Sequence, residues 1–329
     1  MTKDQLIAGI QAGDSRTLSK AITLAESTLA DKRNLALEVI SHFGPQDNTY
    51  RIGITGTPGA GKSTFIEAIG THLLQDPDRK IAVLSIDPSS GKTHGSILGD
   101  KTRMNQLSAH PRAYIRPSSS GTQLGGLAKN TRLAMLLCEA AGYNTILIES
   151  VGVGQGETEV AQLTDLFTLI LNPGGGDELQ GIKRGIMEMA DIIVVNKADG
   201  DAERQAKLTA KEYSMALHLL PTSTKPVLSG VEVFSSDSNS GWIPKVITAS
   251  ATENKGIDVF WEKAFDYEKC VTQNQWKTAH RKGQMHYWAR KSVQDLLLAK
   301  LEHYEDAIAQ GLSTGKLPEE VARDVVNVR

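Results

Sequence analysis

Residues 53–64 read GITGTPGAGKST. Gly56, Gly61, Lys62 and Ser63 satisfy the spacing GxxxxGK[ST], which ordinary residue usage would produce by chance in about one chain in a hundred of this size. The stretch follows an apolar run, RIGIT, and opens a segment, STFIEAIGTHLL, with helical patterning. A strand that turns through a glycine-rich loop straight into a helix has few ways to fold. The strand must lie in a sheet covered by that helix, and the loop must sit at the carboxyl edge of the sheet. Glycine N–H groups can point inward where a Cβ would clash, and the helix N-terminus adds positive potential, so such a loop is shaped for phosphate. Gly56, Thr57, Pro58, Gly59, Ala60, Gly61, Lys62, Ser63 and Thr64 are the candidate phosphate cradle. Lys62 is expected to bridge β- and γ-phosphate oxygens, and the Ser63 hydroxyl to be a ligand of Mg²⁺, which takes oxygen donors and keeps several waters.

The rest of the chain supplies the sheet that this loop requires. KIAVLSID, NTILIES, LFTLILN, DIIVVNK and KVITAS are short apolar, mostly β-branched runs, separated by segments such as 124–141 and 178–190 with helical patterning. This alternation predicts an α/β fold, a P-loop nucleoside-triphosphatase with a mostly parallel central sheet flanked by helices. Residues 1–47 read as an N-terminal helical extension, with Asp14 and Ser15 able to cap a second helix, and 48–265 as the nucleotide domain. The stretch 221–244 is rich in Ser, Pro and Gly and is expected to be a surface loop. Residues 266–329 read as a helical arm. Within it Met285, Trp288, Val293, Leu296, Leu297, Leu301, Tyr304 and Ile308 fall near one face of a long helix, a stripe suited to core packing or to a subunit interface.

Composition narrows the partners. With 22% charged residues and a formal net charge of −2, the 329-residue chain has no electrostatic reason to seek nucleic acid or an anionic membrane. Asp4 and Gln5 interrupt the start where a signal peptide needs an apolar core, which predicts a cytoplasmic protein. Cys138 and Cys270 stand apart, without metal-ligand or redox spacing.

VVNKADG, residues 194–200, follows an apolar strand, and its Asn196, Lys197 and Asp199 match the NKxD element of GTP-binding proteins. The Asp199 carboxylate can accept two hydrogen bonds from guanine N1–H and the 2-amino group, whereas adenine offers neither donor. Lys197 would lie under the base. TASA at 248–251 resembles the short loop whose backbone N–H groups contact the guanine carbonyl, which makes Ser250 and Ala251 candidates as well. At the end of NTILIES, Glu149 and Gly152 have the spacing at which Ras-like proteins carry an aspartate and a switch glycine.

That glutamate resembles the pattern of the metallochaperone-like branch of the SIMIBI class of P-loop GTPases. SIDPSS, GSILGDKTRM, ESVGVGQGETEV and PGGGDELQGIKRG occur in order and look like the switch segments of the MeaB/ArgK group, GTPase chaperones of adenosylcobalamin-dependent methylmalonyl-CoA mutase and its relatives. The resemblance covers nearly the whole chain. It implies that Asp87 and Asp100 belong to switch I near the metal, and that Glu149 touches Mg²⁺ directly or through water. Gly174, Gly175, Gly176, Asp177 and Lys183 would form the mobile switch III. Lys62, Asp87, Asp100, Glu149 and Lys183 are thus the candidate catalytic set, with Ser63, Asp87 and Glu149 around the metal. The implied reaction is GTP plus water giving GDP and phosphate, and its implied use is to gate cofactor loading and reactivation of an acyl-CoA mutase. The implied assembly is a homodimer through the C-terminal helices, and no cobalamin site is assigned to this chain. Two alternatives are a nickel- or zinc-insertion GTPase, which would need a Cys/His constellation not visible among the scattered histidines, and a P-loop kinase or ATPase regulator of amino-acid transport, against which NKAD argues.

Overall fold

The computed structural model describes residues 1–86, 104–117, 124–150, 156–174, 184–219, 241–301 and 304–327. Asp87, Asp100, Gly175, Gly176, Asp177 and Lys183 lie outside the described residues. Seven parallel strands form one sheet: β1 (Tyr50–Gly56), β2 (Ile81–Ile86), β3 (Ala113–Arg116), β4 (Thr145–Ser150), β5 (Leu166–Leu171), β6 (Ile192–Val195) and β7 (Lys245–Thr248), in the order β3-β2-β4-β1-β5-β6-β7. Six of them are the apolar runs anticipated above. The seventh, β3 (AYIR), is a four-residue edge strand too short and too polar to stand out, and it forms because β2 offers an open side. Strands β1, β2, β4, β5 and β6 are buried along their whole length, as a parallel sheet covered on both faces requires.

Strand β1 lies between β4 and β5, with Ile54 beside Glu149 and Gly56 beside Ile170. The chain leaves β1 towards β2 and later crosses back to β5, so the direction of winding reverses at β1 and opens a crevice at its carboxyl end. Helix α4 (Lys62–Leu73) follows β1 and covers one face. Helix α10 (Ile257–Gln273) packs beside it, and the Phe65 and Phe260 rings meet edge-on at 5.0 Å. On the other face lie α6 (Leu124–Ala140), α7 (Gly156–Ala161) and, beside α7, α8 (Arg184–Met189). Between α4 and α6 in sequence, the short helix α5 (Asn105–Ala109) sets Leu107 against Gly70 of α4.

The N-terminal extension is three helices: α1 (Lys3–Gln11), α2 (Ser15–Ala25) and α3 (Ala30–Phe43). Asp14 caps α2, accepting from the Arg16 and Thr17 N–H groups. These helices pack on α6. Residues from Met1 to Arg281 make one compact unit and Lys282–Arg329 a second. Helix α11 (Trp276–Leu301) begins in the first and continues into the second, which also holds α12 (Glu305–Ser313) and α13 (Pro318–Asn327). Of the stripe expected on one long helix, Met285 to Leu301 lie on α11, Tyr304 precedes α12 and Ile308 lies within it. Leu296, Leu297 and Leu298 are 66%, 57% and 60% exposed, and Met285, Val293 and Leu301 are exposed with them.

At the amino-terminal edge of the sheet, far along the strands from the crevice, two buried ion pairs tie distant segments together. Arg51 grips both oxygens of Glu139 at 2.6 and 2.9 Å. Arg281 of α11 grips both oxygens of Asp165 at 2.8 and 2.7 Å and donates to the carbonyls of Gln46 and Thr49. Burial pushes the Asp165 carboxyl up, but the Arg281 bonds, with Arg51 and Lys277 nearby, overcome it and hold the carboxyl at about 2 against an ordinary value of 3.8. The group therefore contributes stability that is fully present above about pH 4 and is lost as pH falls towards 2. Asp165→Asn, which strands a buried guanidinium, is expected to cost about 3–5 kcal/mol and to remove that part of the acid transition. Calorimetric melting between pH 7 and pH 2.5 checks both.

Candidate functional site: a phosphate loop beside a carboxylate loop

The P-loop needs its glycines for space as much as for conformation. Gly56 has φ +150°, and a Cβ there would sit 2.0 Å from the Ile170 carbonyl oxygen of the neighbouring strand. Gly61, at φ +84°, forms the left-handed entry to α4, and a Cβ there would meet Asn196 Nδ2 at 2.7 Å. Both positions accept only glycine without displacing backbone or the Asn196 amide. Lys62 is the first residue of α4; its ammonium is buried and donates to the carbonyls of Gly56 at 2.9 Å and Thr57 at 3.1 Å. It is held inside the ring of the loop, where a phosphate chain would lie. The Thr57 hydroxyl is buried with no hydrogen-bond partner among the described residues. An orphaned polar atom in such a place is a group kept for a ligand or a water. Pro58, Gly59 and Thr64 are exposed and Ala60 is buried, with its carbonyl taken up by the base-side loop described next.

Ser63 Oγ donates to Glu149 Oε1 at 3.0 Å. The sheet makes this contact: Glu149 is at the end of β4, next to β1, and Ser63 stands one residue inside the helix that β1 feeds. A hydroxyl and a buried carboxylate meeting at the mouth of a phosphate loop are hard oxygen donors, and their chemistry fits Mg²⁺. Among the described residues no group of three His, Cys, Asp or Glu side chains is placed to hold a metal. Asp87 and Asp100 lie outside the described residues and cannot be added to this pair.

The second loop follows β6. Asn196 joins three parts of the site: its backbone N–H donates to Leu171, its Nδ2 to the Ala60 carbonyl at 2.8 Å, and its Oδ1 accepts from the Ala251 N–H at 3.1 Å. One side chain thereby fixes the P-loop against the loop after β7. Lys197 is exposed, in left-handed backbone with φ +58°, a conformation that costs a non-glycine residue of order 1 kcal/mol or more and is retained where a function over-determines it. Its aliphatic stem comes near Gly61, so it lies across the gap between the two loops. Asp199 immediately precedes a 3₁₀ turn (Gly200–Ala202) that leads into α9 (Glu203–Leu219). The Ser250 hydroxyl donates to Asp199 Oδ2, and Thr252 adds a longer contact at 3.4 Å. Ser250 N–H donates to Lys255 O and Ala251 N–H to Asn196 Oδ1. In this structure Ser250 and Ala251 therefore act on Asp199 and Asn196, holding the side chains of the NKxD element in place. Sequence reading named these two positions but not that role, and it passed over Thr252; a second hydroxyl two residues after Ser250 is the only local signal for it. Of the glycine-rich stretch after β5, Gly174 is described: its N–H donates to Thr209 Oγ1 of α9 at 3.0 Å.

A doubly wound parallel sheet, a phosphate cradle at its switch point and a carboxylate loop beside it define a P-loop nucleotide-binding protein. Residues 18–306 match the family described as "Methylmalonyl Co-A mutase-associated GTPase MeaB", and the chain belongs to that family of GTPases. A putative GTPase of Caulobacter vibrioides is 48% identical over 295 residues, spanning 89% of this chain and 85% of its own length. The GTPase ArgK of Escherichia coli is 42% identical over 306 residues, covering 93% of this chain and 88% of its own. The crystal structure of a protein described as an LAO/AO transport system kinase superposes with a TM-score of 0.75 at 34% identity, over 98% of this chain and 96% of that one. Nucleotide binding is thus a family property. Among the described residues no helix is long and apolar enough to cross a membrane.

Proposed function

We propose that this chain hydrolyses GTP to GDP and phosphate, and that its nucleotide state gates cofactor loading and reactivation of an adenosylcobalamin-dependent acyl-CoA mutase. The observation that carries the first half is the Asn196–Asp199–Ser250 arrangement fastened to the P-loop, since a rigid carboxylate beside a phosphate cradle suits the paired donors of guanine. The mutase half rests on the family to which the chain belongs. Ser63 and Glu149, with Asp87, would hold Mg²⁺, which when bound screens the phosphate oxygens. Lys62 neutralises charge on the β- and γ-phosphates, and the loop amides orient them. Asp100 and, in switch III, Gly174 to Gly176 with Asp177 and Lys183 are assigned to sensing the γ-phosphate. The site is expected to act in the cytoplasm.

The test has two arms. Purified protein is expected to bind GTP at least about a hundredfold tighter than ATP and to release phosphate from GTP; equal affinity would remove the base assignment. Purification from its own cell extract is expected to bring down a cobalamin-dependent mutase, and its absence under both GTP-analogue and GDP loading would remove the partner.

We also infer that the C-terminal helices form the interface of a homodimer. Met285, Val293, Leu296, Leu297 and Leu301 are exposed at helical spacing on one side of α11 and make an apolar stripe suited to a partner. A truncation after residue 275 would test this poorly, because it also deletes Arg281, which the Asp165 ion pair needs. Val293→Glu with Leu296→Glu changes only exposed positions and is expected to convert dimers to monomers in sedimentation; a double variant that stays dimeric would place the interface elsewhere.

A further inference from the structure

Helix α9 turns Ala206, Thr209 and Tyr213 inward and packs on β6 and β7. On its opposite side Arg204, Leu208, Lys211 and Met215 recur at i, i+4, i+7 and i+11, which gathers them within an arc of about 60°. All four are exposed, Leu208 by 48% and Met215 by 60%. Arg204, Lys207, Leu208 and Lys211 line a shallow groove of about 640 Å³. Lys207 is paired with Glu203 at the surface, while Arg204 and Lys211 make no ion pair or hydrogen bond among the described residues. Two unpaired cations seven residues apart, separated by about 10.5 Å along the axis, therefore alternate with two apolar side chains, Leu208 between them and Met215 one turn beyond Lys211.

We propose that this face docks an acidic amphipathic helix of the mutase, and the inference rests on the mutase reading above. Carboxylates two helical turns apart match Arg204 and Lys211, an apolar residue between them meets Leu208, and a second apolar residue one turn further meets Met215. The pattern fits a protein better than a polyanion. Asp201, Glu203 and Glu212 border the same surface, so cations and carboxylates alternate, and an occupant must place its charges one by one, as a folded helix does and a uniformly charged phosphate backbone or lipid headgroup layer does not. The position gives the contact a use. The helix that presents this face is joined at its start to the turn that follows Asp199, and its inner Thr209 holds the first glycine of the expected switch III. An occupant on the outer face thus touches the element that connects base recognition to that segment.

The experiment titrates the purified mutase of the same cell into the full-length protein loaded with a non-hydrolysable GTP analogue, by calorimetry at two salt concentrations. Arg204→Glu with Lys211→Glu is expected to raise Kd at least about tenfold and to flatten its salt dependence, and Glu212→Lys to lower Kd about threefold. Intrinsic GTP hydrolysis and the melting temperature should stay at wild-type values in both, since these side chains are exposed and outside the nucleotide site. Mutase affinity within about twofold of wild type in the reversed variant overturns this docking face and leaves the functional reading standing. A wild-type protein that does not bind the mutase at all overturns the functional reading and this inference with it. Loss of self-association in the reversed variant, with mutase affinity unchanged, would assign the face to a second copy of this chain instead.

Discussion

Lys62→Ala is expected to reduce GTP hydrolysis by at least about 10²- to 10³-fold while leaving the protein folded. The ammonium is already aimed into the loop by the Gly56 and Thr57 carbonyls, so its charge is preorganised where the transferred phosphate gains negative charge. Alanine at the first residue of α4 preserves helix propensity and removes no core volume. What the fold loses is two hydrogen bonds, of order 1 kcal/mol, which shifts the melting temperature of a domain this large by only a few degrees. Phosphate release measured beside a melting curve separates the two effects. Near-normal turnover by a well-folded Lys62→Ala protein would sink the phosphate assignment.

Asp199→Asn is expected to exchange nucleotide preference, weakening GTP by about 10²-fold or more and strengthening xanthosine triphosphate. Xanthine carries a carbonyl where guanine carries its 2-amino group, so it needs a donor where guanine needs an acceptor. The structure supplies the orientation. Ser250 donates to Asp199 Oδ2, and in the variant it selects the amide oxygen for that position, which turns the new NH₂ to the place of Oδ1. Competition binding with the two triphosphates reads the exchange directly. An unchanged preference for GTP would mean that Asp199 does not read the base.

Much of this site was legible because its signals are local. The GxxxxGK[ST] spacing, the apolar run before it and the helical period after it all lie within two dozen residues, and each follows from the geometry of one strand, one loop and one helix. NKAD was readable for the same reason, as was the Asp14 cap, whose partners are two and three residues away. Edge strand β3 was not legible, since four residues of mixed polarity take a strand conformation only when β2 stands beside them.

The sequence by itself determined the alternation of strands and helices, the phosphate loop and the carboxylate that follows β6, because backbone sterics and hydrophobic periodicity act over a few residues. Only the tertiary structure decided how those pieces are held. Ser63 meets Glu149 across 86 positions, Asn196 joins Ala60 to Ala251 across 136 and 55, and Arg281 closes on Asp165 across 116. Such pairings leave no periodic trace, because a side chain chooses a distant partner through the strand order and register of the sheet, and any of several Ser, Asn or Arg residues would read the same until the sheet brings one of them within hydrogen-bond distance.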